Sequence, residues 1–106
     1  HGQDRLWQLH SARFLAAGRL SEFAGARALE LDRLARQLGF RSLAEGDLEA
    51  LRRNTTPEGA RALCMLEAFT RGVNWAVAKA TRGGQLPAEF RLTGQRAWEP
   101  WRAVDT

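Results

Sequence analysis

Residues 55–84 read TTPEGARALCMLEAFTRGVNWAVAKATRGG, and this stretch decides the fold. Its start carries two helix signals. Thr55 and Glu58 have the spacing of a capping box, in which a hydroxyl and a carboxylate each accept a backbone N–H that the helix leaves free. Pro57 suits the first turn, because the N–H it lacks would have had no partner there. The stop is Gly83-Gly84, a pair that takes left-handed backbone without strain. Between these marks the spacing predicts a helix over residues 56–82. From Leu63 to Phe69 only Glu67 is charged, so apolar side chains go nearly all the way round. A helix of that kind is buried on more than one side. In a chain of 106 residues, one side is expected to meet the rest of the fold and another to meet a second copy or a partner.

The flanking sequence predicts three shorter helices and a tail. Asp4 can cap a helix over about 4–17, which Gly18 ends. Trp7 and Phe14 lie seven apart and share its face. Ser21 caps a second helix to about residue 38, where Leu31, Leu34, Ala35 and Leu38 form an i, i+3, i+4, i+7 stripe. Gly39 stops it, and Phe40 falls where a Schellman turn places its apolar lock. Ser42 to Glu45 is a second capping box, so a third helix is expected over 43–53. After Gly84 the chain becomes an extended tail, 85–106. Within it Glu89 to Thr93 alternates polar and apolar as a short strand does. The expected fold is therefore all-α: three shorter helices on one long helix, with a Trp-containing tail, in a single domain. A homodimer is expected.

Composition agrees with one small helical domain. Hydrophobic residues make up 44% and charged residues 26%, both ordinary for a globular protein. The net charge is +4, and Lys79 is the one lysine among sixteen cations. The arginines are scattered among twelve acids, so the charge gives only a mild bias toward an acidic partner. A single cysteine, Cys64, forbids an intrachain disulfide and fits a reducing compartment. With neither a transmembrane run nor a signal-peptide pattern in the sequence, the expected location is the cytoplasm.

The inventory offers no catalytic signature, and the expectation is that the chain is not an enzyme and needs no cofactor. His10, on the first helix, is by default a surface or half-buried side chain. Cys64 sits mid-helix among Leu63, Met65 and Leu66, where a buried structural cysteine is the ordinary reading. No cluster has metal-ligand spacing. The acid pairs Glu30/Asp32 and Asp47/Glu49 lie two apart and read as solvated faces.

Two binding readings remain. Leu34 to Phe40 looks like the first helix and turn of a helix-turn-helix, which would make Arg36, Arg41, Ser42, Arg52 and Arg53 the DNA-contacting set. Glu45 breaks that pattern where an apolar residue is needed, and Asp47 and Glu49 put acid where DNA would lie. Protein recognition is the preferred reading. Trp7, Trp75, Trp98 and Trp101 are many tryptophans for this length, and tryptophan and arginine dominate interface hot spots. Trp7, Phe14, Trp98 and Trp101 are the candidate partner surface, with Trp75 assigned to the core. Leu63, Leu66, Phe69 and Val73 are the candidate homodimer anchors.

In size, compartment and helix order the chain resembles the small helical bacterial antiactivators, dimeric proteins that bind LuxR-type quorum-sensing regulators and keep them from DNA. The resemblance spans the chain as a shape, with no shared motif, so it transfers no residue role. It implies a regulatory protein that controls transcription by capturing a transcription factor, with DNA binding as the alternative.

Overall fold

A computed structural model describes residues 5–95 and 98–106. The described residues are helical, turn or coil, with no β-strand among them. The helices are α1 (Leu6–Ala16), α2 (Ser21–Ala24), α3 (Leu29–Leu38), α4 (Phe40–Arg53), α5 (Pro57–Arg82) and α6 (Ala88–Leu92). The all-α arrangement, with one long helix and a tryptophan-bearing tail, is the one expected. Asp4, the anticipated cap of α1, lies outside the described residues.

Several local readings change. The second predicted helix is interrupted: α2 gives way to a 3-10 turn, Gly25–Ala28, before α3 begins. Gly25 has φ +73° and ψ −165°, a backbone reserved for glycine, and it breaks the helical path there. The helix expected over 43–53 starts earlier, at Phe40, one residue after Gly39. Gly39 is left-handed at φ +70° and reverses the chain at once, so Ser42 and Glu45 lie inside a helix and cap nothing. On the long helix, Thr56 rather than Thr55 is the cap. Its hydroxyl accepts the Gly59 N–H at 3.1 Å, while the side-chain Oδ1 of Asn54 accepts from both the Thr56 amide and hydroxyl. The stop is placed as read, with Gly84 left-handed at φ +65°.

The tail corrects a clearer expectation. Residues 88–92 form helix α6, not extended chain or a strand. In a strand Phe90 and Leu92 would share a face; in a helix they lie about 200° apart. Phe90 is 3% exposed and Leu92 is 84% exposed. The aromatic cluster offers a seat for one of them, and the helix supplies it.

The core sits where α1, α5, α6 and the tail meet. Leu6, Val73, Val77, Ala80, Phe90 and Trp101 are buried together, with Trp7, Leu9, Leu86 and Trp98 packed against them. Val73, Val77 and Ala80 fall at i, i+4 and i+7 and give α5 one inward stripe. Two side-chain clasps hold the loops. The carboxylate of Asp32 accepts the amides of Leu20 and Ser21 at 2.7 and 2.8 Å. The Asn74 amide donates to the Trp101 carbonyl and accepts its N–H, at 2.9 and 2.8 Å, which fixes the tail to α5.

The molecule is a slab of 45 × 37 × 18 Å. Its radius of gyration is 15.3 Å, against roughly 13 Å for a compact chain of this length. Its accessible surface is 7448 Å², against roughly 5,900 Å² for a folded monomer of this size. The chain leaves about 1,500 Å² more in water than such a monomer does.

Candidate functional site

Among the fully buried side chains of the described residues, one is an imidazole. His10 is fully buried on α1. Rings surround it: Phe14 at 4.5 Å, Phe90 at 5.0 Å, Trp98 at 5.3 Å, Phe23 at 5.6 Å and Trp7 at 5.7 Å between centroids. Neither ring nitrogen makes a well-formed hydrogen bond among the described residues, and the Gln95 side chain offers a weak one that partly offsets the shift below. Burial, reinforced by the nearby Arg13 cation, lowers its pKa from 6.5 to about 4, so the ring is neutral near pH 7. The default reading of His10 as a surface or half-buried side chain is thereby corrected.

One turn further along α1, Arg13 is buried as well. Its guanidinium lies 5.2 and 5.3 Å from the Trp98 and Trp101 rings and 5.6 Å from Phe14. It donates to the carbonyls of Glu99 and Pro100 at 3.0 and 3.2 Å and lies 3.6 Å from the Asp105 carboxylate. Burial lowers its pKa, while Asp105 and Glu99 oppose that shift. Asp105 is the hub. Its side chain is 1% exposed, it accepts from Arg41 at 2.7 Å, and it accepts the Arg102 amide at 2.8 Å. Arg19 joins Glu99 at 2.7 Å and Glu22 at 2.6 Å. The hydrogen bonds from Arg19 hold the Glu99 carboxyl below the usual carboxylate range.

A cleft of about 400 Å³ opens beside this network. Leu9, Ala12, Phe40, Phe69 and Val104 form its apolar walls, with Arg13, Arg41 and Asp105 also lining it. Asp105 serves Arg13, Arg41 and Arg102 together, and the Nε and Nη2 atoms of Arg13 are buried without a hydrogen-bond partner among the described residues. Among the described residues, neither His10 nor Cys64 is set up as a base and nucleophile: His10 is sealed among rings, and Cys64 is exposed on α5 rather than buried as expected. Among the described residues, no three His, Cys, Asp or Glu side chains are grouped to hold a metal. No described helix is long and apolar enough to cross a membrane.

The anticipated binding residues are scattered by this geometry. Phe14 and Trp101 are buried in the chain's own core, and Trp7 and Trp98 are half-buried against it. Trp75, assigned to the core, is 62% exposed instead. It points outward because the inward stripe of α5 runs through Val73 and Val77. Of the dimer anchors, Val73 is buried, Leu63 and Leu66 are half-buried and Phe69 is exposed. Of the DNA set, Arg36 donates to the Gly18 carbonyl at 2.9 Å and Arg41 is tied to Glu45 and Asp105. Arg52 and Arg53 lie 4.0 and 3.9 Å from Glu49, and Ser42 is exposed. Asp32 is buried, not on a solvated face. Burial alone would raise its pKa, but the Ser21 and Leu20 hydrogen bonds outweigh that and lower it.

Sequence reasoning passed over Arg13, Asn74 and Asp105, and it placed Asp32 on a solvated face. One signal was available for Asp32: it lies one turn before Arg36 and beside the Ala35 side of the apolar stripe.

The family model described as penicillin amidase matches residues 1–106. The chain is 42% identical over 106 residues to the penicillin acylase 2 proenzyme of Pseudomonas sp. (strain SE83), covering 98% of this chain and 12% of that protein. It is 37% identical to the acyl-homoserine lactone acylase QuiP of Pseudomonas aeruginosa, covering 100% of this chain and 11% of the relative. Against QuiP of Pseudomonas fluorescens (strain Pf-5) the identity is 33%, with 100% and 12% covered. The chain thus spans 11–12% of the length of these relatives.

These matches overturn the antiactivator resemblance and the reading of a transcription regulator acting by protein capture. The helix-turn-helix alternative gains nothing from them, and the expectation of a protein unrelated to enzymes is corrected, since the relatives are acylases. Because the penicillin amidase model matches residues 1–106 of the chain, the chain belongs to the penicillin amidase family.

Proposed function

We propose that this chain is a helical segment of an acylase that cleaves an acyl group from an amide nitrogen, and that it serves the reaction by packing and shape rather than by breaking the bond. The observation that carries the reading is the family match over residues 1–106. The relatives' names give the substrate class: a penicillin in one case and an acyl-homoserine lactone in the other, both acylated amines. The described side chains supply no nucleophile paired with a base, which leaves the reacting groups to the other part of the acylase. The segment's contribution is a rigid layer. Arg13, Asp105 and Asn74 lock the tail to α1 and α5, so the aromatic core is fixed in place.

The test replaces the matching segment of the penicillin acylase 2 proenzyme with this chain. Release of free amine from a penicillin and from an N-acyl homoserine lactone is then measured. The reading expects hydrolysis of at least one of them. A soluble, correctly processed chimera that hydrolyses neither contradicts it.

A further inference from the structure

Leu31, Leu34 and Leu38 recur along one face of α3 at i, i+3 and i+7, the spacing of a core stripe. They are not covered. Their exposures are 49%, 50% and 51%, while Asp32 and Ala35 on the neighbouring side are buried. Past Gly39 the apolar surface continues with Phe40 and Leu43, 49% and 61% exposed. Polar residues stand at its rim, where Arg33 pairs with Glu30 at 2.7 Å. An apolar centre with a paired, polar rim is the anatomy of an interface. At 18 Å thick, the slab has no second layer to lay over the ridge. The excess surface of roughly 1,500 Å² exceeds the roughly 800 Å² each partner gives to a standard interface.

We propose that the ridge formed by Leu31, Leu34, Leu38, Phe40 and Leu43 is the seat for an apolar face of the remaining acylase polypeptide. This rests on the acylase reading and names the surface through which the segment joins the enzyme. The occupant is the acylase itself rather than a second copy, because the matched segment is only 12% and 11% of the relatives, so they carry roughly seven to eight times as much sequence outside it as within it. The cover that a core stripe requires is therefore available in the same protein.

The test uses single cysteines in a Cys64→Ser background otherwise free of cysteine. Leu34→Cys and Leu38→Cys probe the ridge, and Trp75→Cys probes the outer face of α5. Each is labelled with a maleimide in the 106-residue chain alone and in the chimeric acylase. At 34 and 38 labelling should slow by roughly tenfold or more on assembly, as burial in a close-packed interface centre requires. At 75 it should change little. Equal labelling in both settings at 34 and 38, in a chimera that hydrolyses amides, overturns the ridge as the seat while the acylase reading stands. A chimera that neither assembles nor hydrolyses removes both. An isolated chain that sediments as a dimer and protects position 34 assigns the ridge to a second copy. As a check that the ridge is not internal core, Leu34→Glu should keep the helical circular dichroism of the isolated chain; loss of it overturns the proposal.

Discussion

Two apolar regions of the molecule, the aromatic cluster around His10 and the leucine ridge on α3 and α4, are finished differently. Around His10, five rings and the tail close on α1 until the imidazole has no exposed surface. On α3 and α4, leucines with equally regular spacing stay about half in water. The difference is coverage, not pattern. The aromatic end recruits α5, α6 and a tail pinned by Asn74 and Asp105, all from within the chain. Among the described residues, none covers the leucine ridge. Hydrophobic periodicity tells which face wants burial, and only the three-dimensional count of elements tells whether the chain can supply it.

Mutations at the two ends should therefore separate by size. Trp101→Ala opens a cavity beneath Arg13 and Asn74 and should cost about 4 kcal/mol, enough to unfold a domain of ordinary marginal stability. Urea unfolding followed by circular dichroism measures it, and a cost near zero would make the closed end no more closed than the open one. Next, Asp105→Asn removes the carboxylate that faces Arg13 and Arg41, and should cost about 3 kcal/mol because the buried guanidinium loses its counter-charge. Asp105→Ala should be no better tolerated.

At the closed end, acid sensitivity centres on His10. His10 has a folded pKa of about 4 against 6.5 when unfolded, so between those values the unfolded chain binds the extra proton. Stability is then full above about pH 6.5, falls as pH drops toward about 4 and levels off below, a loss of roughly 3 kcal/mol. Arg13 and Arg19 deepen the effect and Glu99 opposes it. Urea midpoints at about pH 7 and about pH 4.5 should differ in the parent and converge in His10→Met.

A smaller effect tests the joint between the ends. Gly18 has φ +64°, and a Cβ there would lie 2.8 Å from the Asp32 carbonyl oxygen and 2.6 Å from Arg36 Cγ. Gly18→Ala should cost about 1–2 kcal/mol, read as a shift of the thermal midpoint. The least costly change should be Leu34→Ala in the isolated chain, below about 1 kcal/mol because half of that side chain is already in water. A cost as large as that of Trp101→Ala would place the ridge in the core.

Much of the fold was legible for local reasons. The long helix announced itself by Pro57 and Gly84, and the stripe on α3 by its period. Gly25 was harder: one glycine in a helical pattern gives no sign that it will turn left-handed. The Phe90/Leu92 alternation favoured a strand because the sequence does not reveal that a single aromatic seat waits for Phe90. The polar clasps were not legible at all. Arg13 meets Asp105 across 92 positions, and Asn74 meets Trp101 across 27, and such pairings exist only once the chain is folded. The site was misread for a related reason. Four tryptophans resemble an interface in sequence, yet Trp98 and Trp101 pack around Arg13 inside the chain. The open surface is lined instead by ordinary leucines, which the period alone assigned to the core.

The most direct test of a segment closed at one end and completed by the acylase at the other is amide hydrogen exchange, measured on the isolated chain and again within the chimeric acylase. In the isolated chain, α1 and residues 73–80 of α5 should be well protected, with α3 and α4 exchanging much faster. In the acylase, α3 and α4 should gain protection while α1 and α5 change little. Protection of α3 and α4 that is already as high in the isolated chain as in the assembled enzyme would contradict the account.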